Sequence, residues 1–333
     1  MASHFQFQPI SFSWVAIHPQ PKAVIQFMGG AFFGSFPTLF YRYFLQTLFE
    51  AGYTIVALPF RFSFRHWSIA RDLLQEQAAL RQLLTQQTGS LFYQDSANYF
   101  WVGHSLGCKY IALLELLSGQ WSNQATVCLP LASLPDISIL EQGGILNQPS
   151  LLIAPDLSNT ESAIPIRPIA RGLDWLGLGV LPTREQTQCL IEHSNLFNLT
   201  ALVAFAEDKL AGNPDDATRD PETQTNSDLL WLMQQLARRR FPLLQCNLPG
   251  QHLEPLGLRF GSVVIRFNPL GQWIQSLKQR LLERTTLQLL EELEQRQISL
   301  NAKALDPKTA QPGETVASAV LAPEAQPAEP SLY

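Results

Sequence analysis

Charge is scarce in this chain. Asp, Glu, Lys and Arg make up only 15% of its 333 residues, against about a quarter in an average soluble domain, while apolar residues make up 46%. This balance excludes a chain that is disordered throughout and favours a domain with much buried sheet. The 28 carboxylates outnumber the 23 Lys and Arg side chains, for a formal net charge of -5. Without a broad cationic field or a basic cluster interleaved with aromatics, no nucleic acid partner is expected.

Cysteine is also sparse. The four residues lie far apart in the sequence, at Cys108, Cys128, Cys189 and Cys246. They show neither C-x-x-C spacing nor the density of a disulfide framework, which favours a reducing, cytoplasmic setting. The chain also lacks metal-ligand spacing and the phosphate-binding pattern G-x-x-x-x-G-K-S/T. We therefore expect neither a metal nor a cofactor.

Long hydrophobic runs are rare, and one raises the question of a transmembrane helix. Residues 23–41 carry no charge, but the run is interrupted by Gln26, Gly29, Gly30, Gly34, Ser35 and Pro37. We interpret the run as a buried strand, a glycine loop and the start of a helix. The N-terminus resembles neither a secretory signal nor a transit peptide, so we expect no membrane span and a protein that stays in the cytoplasm.

Strand and helix patterns alternate along the first third of the chain. Apolar and β-branched runs predict strands at residues 11–18, 23–28, 53–58 and 99–102. Apolar residues at helical spacing predict helices at residues 38–50, 68–87 and 109–117. This alternation predicts an α/β fold with a mostly parallel central sheet, right-handed crossovers and helices on both faces.

Beyond residue 118 the pattern loosens. Short strands at residues 150–154, 199–206 and 243–247 continue the sheet, and a segment rich in Pro and Gly predicts a small cap-like insertion at about 157–198. A long helical pattern at residues 270–298 either packs on the domain or pairs with a second copy, which leaves the oligomeric state open. Residues 303–333, rich in Pro, Ala and Glu, predict a disordered tail after a single domain at 1–302.

The fourth predicted strand runs into Gly103-His104-Ser105-Leu106-Gly107, which fits the G-x-S-x-G nucleophile elbow. In an elbow the serine sits on a strained turn between strand and helix, so the residues two before and two after it must be small. Gly103 and Gly107 meet this requirement, and the following helix directs its N-terminal N–H groups at the serine oxygen. The strand-turn-helix context predicts Ser105 as a nucleophile.

A serine hydroxyl needs a base to take its proton and an acid to orient that base, in the chain order Ser, acid, His for this kind of elbow. Glu207 and Asp208 end one predicted strand, and His252 ends the turn after the next. Because carboxyl ends of parallel strands share one edge of a sheet, we predict Asp208 as the acid and His252 as the base. Glu207 and Asp156, which follows an earlier strand, stay open as alternative acids.

The other histidines fit the required chain order less well. His193 precedes Asp208 and so breaks the order, whereas His104 lies inside the elbow and is expected to point away from the serine side chain. The remaining ones come before the serine: His4, His18 and His66.

Acyl transfer builds negative charge on the former carbonyl oxygen, and two converging backbone N–H groups stabilise it. One donor is expected at Leu106, directly after the nucleophile. The second is expected at Gly30 or Ala31, in a glycine loop where missing side chains let the main chain approach the substrate. The aromatic residues within 32–44 either line an apolar acyl pocket or belong to the core.

Four segments carry a family resemblance: residues 25–34 (IQFMGGAFFG), 58–70 (LPFRFSFRHWSIA), 103–110 (GHSLGCKY) and 151–165 (LLIAPDLSNTESAIP). Together they resemble the DUF1350 proteins of cyanobacteria and plastids, which are placed among the α/β-hydrolases. The resemblance spans residues 11–268 and implies an α/β-hydrolase fold, a hydrolase-like elbow and a photosynthetic lineage. The chain departs from ordinary hydrolases at Met28, where a histidine often precedes the oxyanion glycines.

We therefore predict a serine hydrolase of the esterase, thioesterase or lipase type, acting on a small-molecule or lipid-like acyl substrate through an acyl-enzyme. One alternative is a non-catalytic α/β-hydrolase-fold protein that binds a partner or ligand, since one fold hosts many functions. Another is an acyltransferase, in which an acceptor other than water takes the acyl group. The complete order of Ser, Asp and His favours catalysis.

Overall fold

The computed structural model describes residues 4–61, 63–119, 125–129, 144–157, 179–267 and 273–304. The strands of its central sheet are β1 (Gln8–Ile10), β2 (Ser13–Ala16), β3 (Val24–Met28), β4 (Thr54–Ala57), β5 (Tyr99–His104), β6 (Ser150–Ile153), β7 (Thr200–Phe205) and β8 (Leu244–Leu248). Their order is β1-β2-β4-β3-β5-β6-β7-β8. β2 pairs antiparallel with β1 and β4, and all other neighbours are parallel, as the alternating pattern predicts.

Helices cover both faces of this sheet. In the described ranges they are α1 (Pro37–Phe40), α2 (Arg42–Glu50), α3 (His66–Thr88), α4 (Leu106–Ser118), α5 (Ala125–Cys128), α6 (Arg184–Glu192), α7 (Pro221–Asn226), α8 (Asp228–Leu236) and α9 (Leu282–Ala304). Apolar residues of α3, α4 and α8 form one core and those of α2 and α9 another. Successive strand residues point to opposite faces, so in β5 Trp101 enters the first core and Val102 the second.

Local sequence explains several element boundaries. All five residues of β3 are buried, which is why this strand reads as a continuous apolar run rather than an alternating one. α3 ends where Gly89 adopts a φ of 67° and donates its N–H to Thr85 O. α6 begins with a capping box formed by Thr183 and Gln186. These contacts define the end of α3 and the start of α6.

The structure has a second sheet near the C-terminus, which the sequence pattern does not predict. It has three antiparallel strands, β9 (Leu258–Phe260), β10 (Val263–Ile265) and β11 (Ile274–Ser276), with β10 in the middle. β11 and a 3-10 turn at Leu277–Gln279 precede α9, which begins at Leu282 rather than at residue 270. The predicted start of that helix is wrong, because main-chain pairing with β10 outweighs the helical spacing of a few apolar residues.

Much of the predicted cap and tail lies outside the described residues. Of the cap at about 157–198, residues 158–178 are outside the described ranges, and the rest includes α6 and a backbone bridge between Leu181 and Arg65. Of the tail at 303–333, only residues 303–304 are described, and they end α9. The domain limits therefore stay predictions. Within the described ranges, none of the helices is long and apolar enough to cross a bilayer.

Candidate active site

Ser105 stands at the turn between β5 and α4. Its backbone has φ 55° and ψ -124°, a combination that a non-glycine residue rarely adopts and that costs about 1–3 kcal/mol. Neighbouring main chain holds the turn, because Ser105 N donates to Ile153 O at 3.0 Å and Cys108 N donates to Ser105 O at 2.9 Å. The strand-turn-helix geometry predicted for this segment is present.

The two elbow glycines lie where a side chain has no room. A Cβ atom on Gly103 would stand 2.7 Å from Ile111 Cδ1 and 3.0 Å from Cys108 N. A Cβ atom on Gly107 would overlap the Met28 carbonyl oxygen in the neighbouring strand. Glycine at both positions therefore allows α4 to pack directly against β5 and β3, which sets the position of the serine.

Three side chains that are far apart in sequence meet at this edge of the sheet. His252 Nε2 lies 2.8 Å from Ser105 Oγ, and its Nδ1 lies 2.8 Å from Asp208 Oδ2. Asp208 is fully buried, and its other oxygen accepts the N–H groups of Leu210 at 2.8 Å and Ala211 at 3.1 Å. Because an ionised carboxylate only accepts, His252 donates through Nδ1, and its Nε2 is left to accept the serine proton.

Asp208, rather than either alternative acid, is the carboxylate bonded to the imidazole. Glu207 is exposed, although it directly precedes Asp208. The N–H of Asp156 donates to Ser105 O at 3.4 Å, and its negative charge acts on the buried Lys109. Since both ring nitrogens of His252 are already bonded, neither Glu207 nor Asp156 orients the ring in this arrangement.

The candidate oxyanion groups lie on two segments next to the nucleophile, the first turn of α4 and the glycine loop. Leu106 is the first residue of α4, so the helix itself supplies no acceptor for its N–H. A Cβ atom on Gly30 would stand 3.1 Å from Ser105 Cβ, which shows how closely the glycine loop approaches. The N–H of Gly30, however, already donates to Tyr41 Oη at 2.7 Å. Of the two predicted loop donors, Ala31 therefore remains the candidate.

One residue in the elbow has partners that the sequence analysis misses. His104 Nε2 lies 2.8 Å from the backbone oxygen of His252, and its Nδ1 lies 2.8 Å from Tyr41 Oη. Burial, aided by the neighbouring His252, lowers the pKa of His104 to about 3, so the ring is neutral. The only signal in the sequence is a histidine at a variable position of G-x-S-x-G, and its partners come from distant parts of the chain.

Comparison with known families gives a match over residues 6–128, from β1 to α5. The matching family is DUF1350, described as a protein of unknown function. The predicted resemblance is confirmed over this stretch, which is shorter than the expected 11–268. No curated protein matches the chain significantly.

Solved esterases share the fold of this chain. The inhibited esterase B from Lactobacillus rhamnosis is 12% identical, with a TM-score of 0.53 over 87% of this chain and 84% of that one. The carboxylesterase Cest-2923 from Lactobacillus plantarum WCFS1 is 14% identical, with a TM-score of 0.52 over 84% of this chain and 92% of that one. At such identities the likeness establishes the fold alone, and the predicted α/β-hydrolase fold is confirmed.

The aromatic residues within 32–44 differ in burial, and Phe33, Phe40 and Tyr43 are half-buried. Tyr41 and Phe44 are fully buried, so the core interpretation holds for them. Phe32 and Phe36 are each 64% exposed, on the loop that follows Gly30. These two rings present apolar surface on the loop whose Gly30 lies against the nucleophile.

Cys128 of α5 and Cys189 of α6 form a disulfide, which departs from the cysteine pattern expected of a reducing setting. His193 lies beside it, with Nδ1 2.9 Å from Cys189 O and 3.8 Å from either sulfur. Among the described residues, these three have ligand atoms close enough together to hold a metal ion. Because the sulfurs are bonded to each other, this state offers no thiolate ligand.

Proposed function

We propose that this protein is a serine hydrolase that cleaves ester or thioester bonds through an acyl-enzyme. The observation that carries the proposal is the continuous chain of hydrogen bonds from Ser105 through His252 to Asp208, with both donor-acceptor distances at 2.8 Å. The order of these residues along the chain and the strained backbone of Ser105 support it further.

In the proposed first half-reaction, Ser105 Oγ attacks the acyl carbonyl carbon while His252 Nε2 takes the hydroxyl proton. The tetrahedral intermediate collapses as His252 returns that proton to the leaving alcohol or thiol, which leaves an acyl ester on Ser105. In the second half, water attacks this ester with His252 as base, and the carboxylic acid and free serine are released. Asp208 stabilises the imidazolium that forms in both halves.

The negative charge on the carbonyl oxygen needs donors that are in place beforehand. The N–H of Leu106 is one, and the positive end of α4 adds to it. The N–H of Ala31 is the proposed second, since Gly30 beside it is held against Ser105 by its bond to Tyr41. Removing one such donor typically lowers kcat on the order of 10²–10³-fold.

Phe32 and Phe36 favour an apolar acyl group over a small polar one. Burying such a chain against exposed rings stabilises the complex by about 25 cal/mol for each Å² removed from water. We therefore expect catalytic efficiency to rise from acetyl to medium-chain acyl esters. A flat or falling series would contradict this part of the proposal.

A fluorophosphonate probe tests the nucleophile, because it reacts covalently only with an activated serine. We expect labelling of the wild type, none of Ser105→Ala and a sharp loss in His252→Ala. Ser96→Ala and His193→Ala, at exposed positions, are the matched controls and should label fully. Folded wild-type protein that neither labels nor hydrolyses p-nitrophenyl esters would refute the hydrolase and favour the non-catalytic binding alternative.

A further inference from the structure

We propose that His104 is a positioning residue, which holds the backbone of His252 and the glycine loop of residues 29–31 in a fixed position relative to each other. This inference rests on the hydrolase function proposed above. The two hydrogen bonds of His104 go to Tyr41 and to the His252 backbone, not to Ser105 Oγ or the expected substrate position. His104 therefore acts through these two partners.

The hydrogen bonds from His252 through His104 and Tyr41 to Gly30 can be given donors and acceptors in only one way when His104 is neutral. The His252 carbonyl oxygen only accepts, so the Nε2 of His104 carries the hydrogen. Its Nδ1 is then a bare acceptor, and the Tyr41 hydroxyl donates to it. The Tyr41 oxygen is left with lone pairs, one of which accepts the N–H of Gly30. Every donor and acceptor in this series is thus paired, and protonation of His104 would leave the Tyr41 hydroxyl hydrogen without its acceptor.

The direction of the His104 side chain follows from strand geometry. In β5, residues alternate between the two cores, and Phe100 and Val102 face the core that also contains Tyr41. His104 is two residues further along the same face, which places its ring 5.6 Å from the ring of Tyr41. Ser105, in contrast, leaves the strand at the turn. The residue before the nucleophile is therefore directed behind the site.

The chain joins two segments whose relative position matters for catalysis. His252 is held by its ring through Asp208 and by its backbone through His104. A Cβ atom on Gly30 would stand 3.3 Å from His104 Nδ1 and 3.5 Å from Ser105 Oγ, so the loop lies in contact with both. Misplacement of reacting groups by 1 Å costs about 10²-fold in rate. The hydrogen bonds made by His104 and Tyr41 therefore fix the distance between the base and the loop donors.

Because His104 and Tyr41 are buried, their protonation states do not change over the working range of pH. His104 and Tyr41 are fully or almost fully buried, and the titratable groups that act on them are His252 and Cys108. Burial keeps the pKa of His104 low and raises that of the Tyr41 hydroxyl and of the Cys108 thiol, so all three stay neutral near pH 7.

The first test removes one hydroxyl. In Tyr41→Phe, Gly30 N–H and His104 Nδ1 lose their partner, and we expect kcat for a p-nitrophenyl ester to fall at least ~10-fold while KM stays within about twofold. Tyr110→Phe is the matched control, since within the described residues the buried Tyr110 hydroxyl has no hydrogen-bond partner. Unchanged kcat in folded Tyr41→Phe, or an equal loss in the control, would overturn the proposal.

The second test replaces the ring itself. His104→Gln keeps one donor and one acceptor and should retain kcat within ~5-fold of the wild type, whereas His104→Phe keeps only the bulk and should lose at least ~10-fold. Equal activities of the two folded variants would show that His104 acts through packing alone. Circular dichroism and thermal unfolding establish that each variant is folded.

A third readout does not depend on activity. Nitrogen-15 NMR of the imidazole rings should show His104 as the Nε2–H tautomer without titration near neutral pH, and the His252 ring signals should shift in Tyr41→Phe but not in Tyr110→Phe. If the wild type proves inactive while these shifts occur, the hydrolase proposal fails and the coupling stands. His252 signals that do not change in Tyr41→Phe and His104→Phe would overturn the coupling itself.

Discussion

Two buried carboxylates, Asp208 and Asp228, are held by different kinds of partner. Asp208 accepts from the His252 ring on one oxygen and from the backbone N–H groups of Leu210 and Ala211 on the other. Asp228 accepts from the Arg184 guanidinium on one oxygen and from a backbone N–H group on the other. Both acids are shielded from water, but one faces a group that can change its charge and the other faces a permanent cation.

The different partners give Asp208 and Asp228 different roles: Asp208 assists the proposed proton transfer, and Asp228 anchors parts of the chain to each other. In the proposed reaction the His252 imidazole takes the serine proton, so Asp208 stabilises a charge that appears only during turnover. A guanidinium keeps its charge, so Asp228 instead ties Arg184 to the N–H of Leu157. We call Asp228, Arg184 and Lys109 the anchoring group, because the negative charge of Asp228 acts on the buried Lys109, whose side-chain nitrogen donates to Pro182 O at 2.9 Å.

The largest expected effect comes from Asp208→Asn. The amide keeps the shape of the side chain but no longer fixes the His252 tautomer, so kcat should fall on the order of 10⁴-fold with stability little changed. Ester hydrolysis by purified protein measures it. Glu207→Gln is the matched control at the adjacent, exposed acid and should stay within ~3-fold. A collapse in the control with Asp208→Asn still active would make Glu207 the acid.

Asp228→Ala should act on folding instead. It leaves the Arg184 charge without its buried partner, and the free energy of unfolding should fall by about 3 kcal/mol. Denaturant unfolding measures this loss, and Asp72→Ala, at an exposed aspartate, should change the free energy by less than ~0.5 kcal/mol. The folded fraction should still react with the fluorophosphonate probe. Full stability combined with lost labelling would place Asp228 in the catalytic machinery.

Lys109 should make the anchoring group sensitive to pH. Burial lowers its pKa from the ordinary 10.5 to about 7, so between these values the unfolded chain binds the proton that the folded chain has released. The free energy of unfolding therefore rises as pH increases from about 7 towards 10.5. Lys109→Met should remove this contribution, and the comparison of the two stability curves isolates it from other groups. A steeper rise in the variant would reverse the assigned sign.

The parts of the site that the sequence predicts are those with local or ordered signals. Ser105 is predictable because G-x-S-x-G imposes a short-range steric requirement on Gly103 and Gly107, and Asp208 and His252 because parallel strands place their carboxyl ends at one edge. The mostly parallel sheet follows from the alternation of strand and helix patterns. All of these depend on neighbours in sequence or on one topological rule.

The features that escape prediction depend on tertiary proximity. Cys128 and Cys189 are 61 residues apart, and only the packing of α5 against α6 brings them together. His104 gains its role from Tyr41 and from the backbone of His252, neither of which its local pattern specifies. β9 to β11 have three residues each, too few for a period to distinguish strand from helix.

The smallest expected effect, that of Asp156→Asn, most directly distinguishes the candidate catalytic residues around His252 from the anchoring group around Asp228. Asp156 acts on both. Its N–H donates to Ser105 O, and its carboxylate raises the pKa of Lys109. In Asp156→Asn, kcat should stay within ~3-fold of the wild type, since the His252 ring is already oriented by Asp208. The stability curve should change instead, because loss of the negative charge lowers the pKa of Lys109 further and the rise with pH begins at a lower pH. A large loss of kcat with an unchanged stability curve would instead mean that Asp156 acts on the imidazole during turnover.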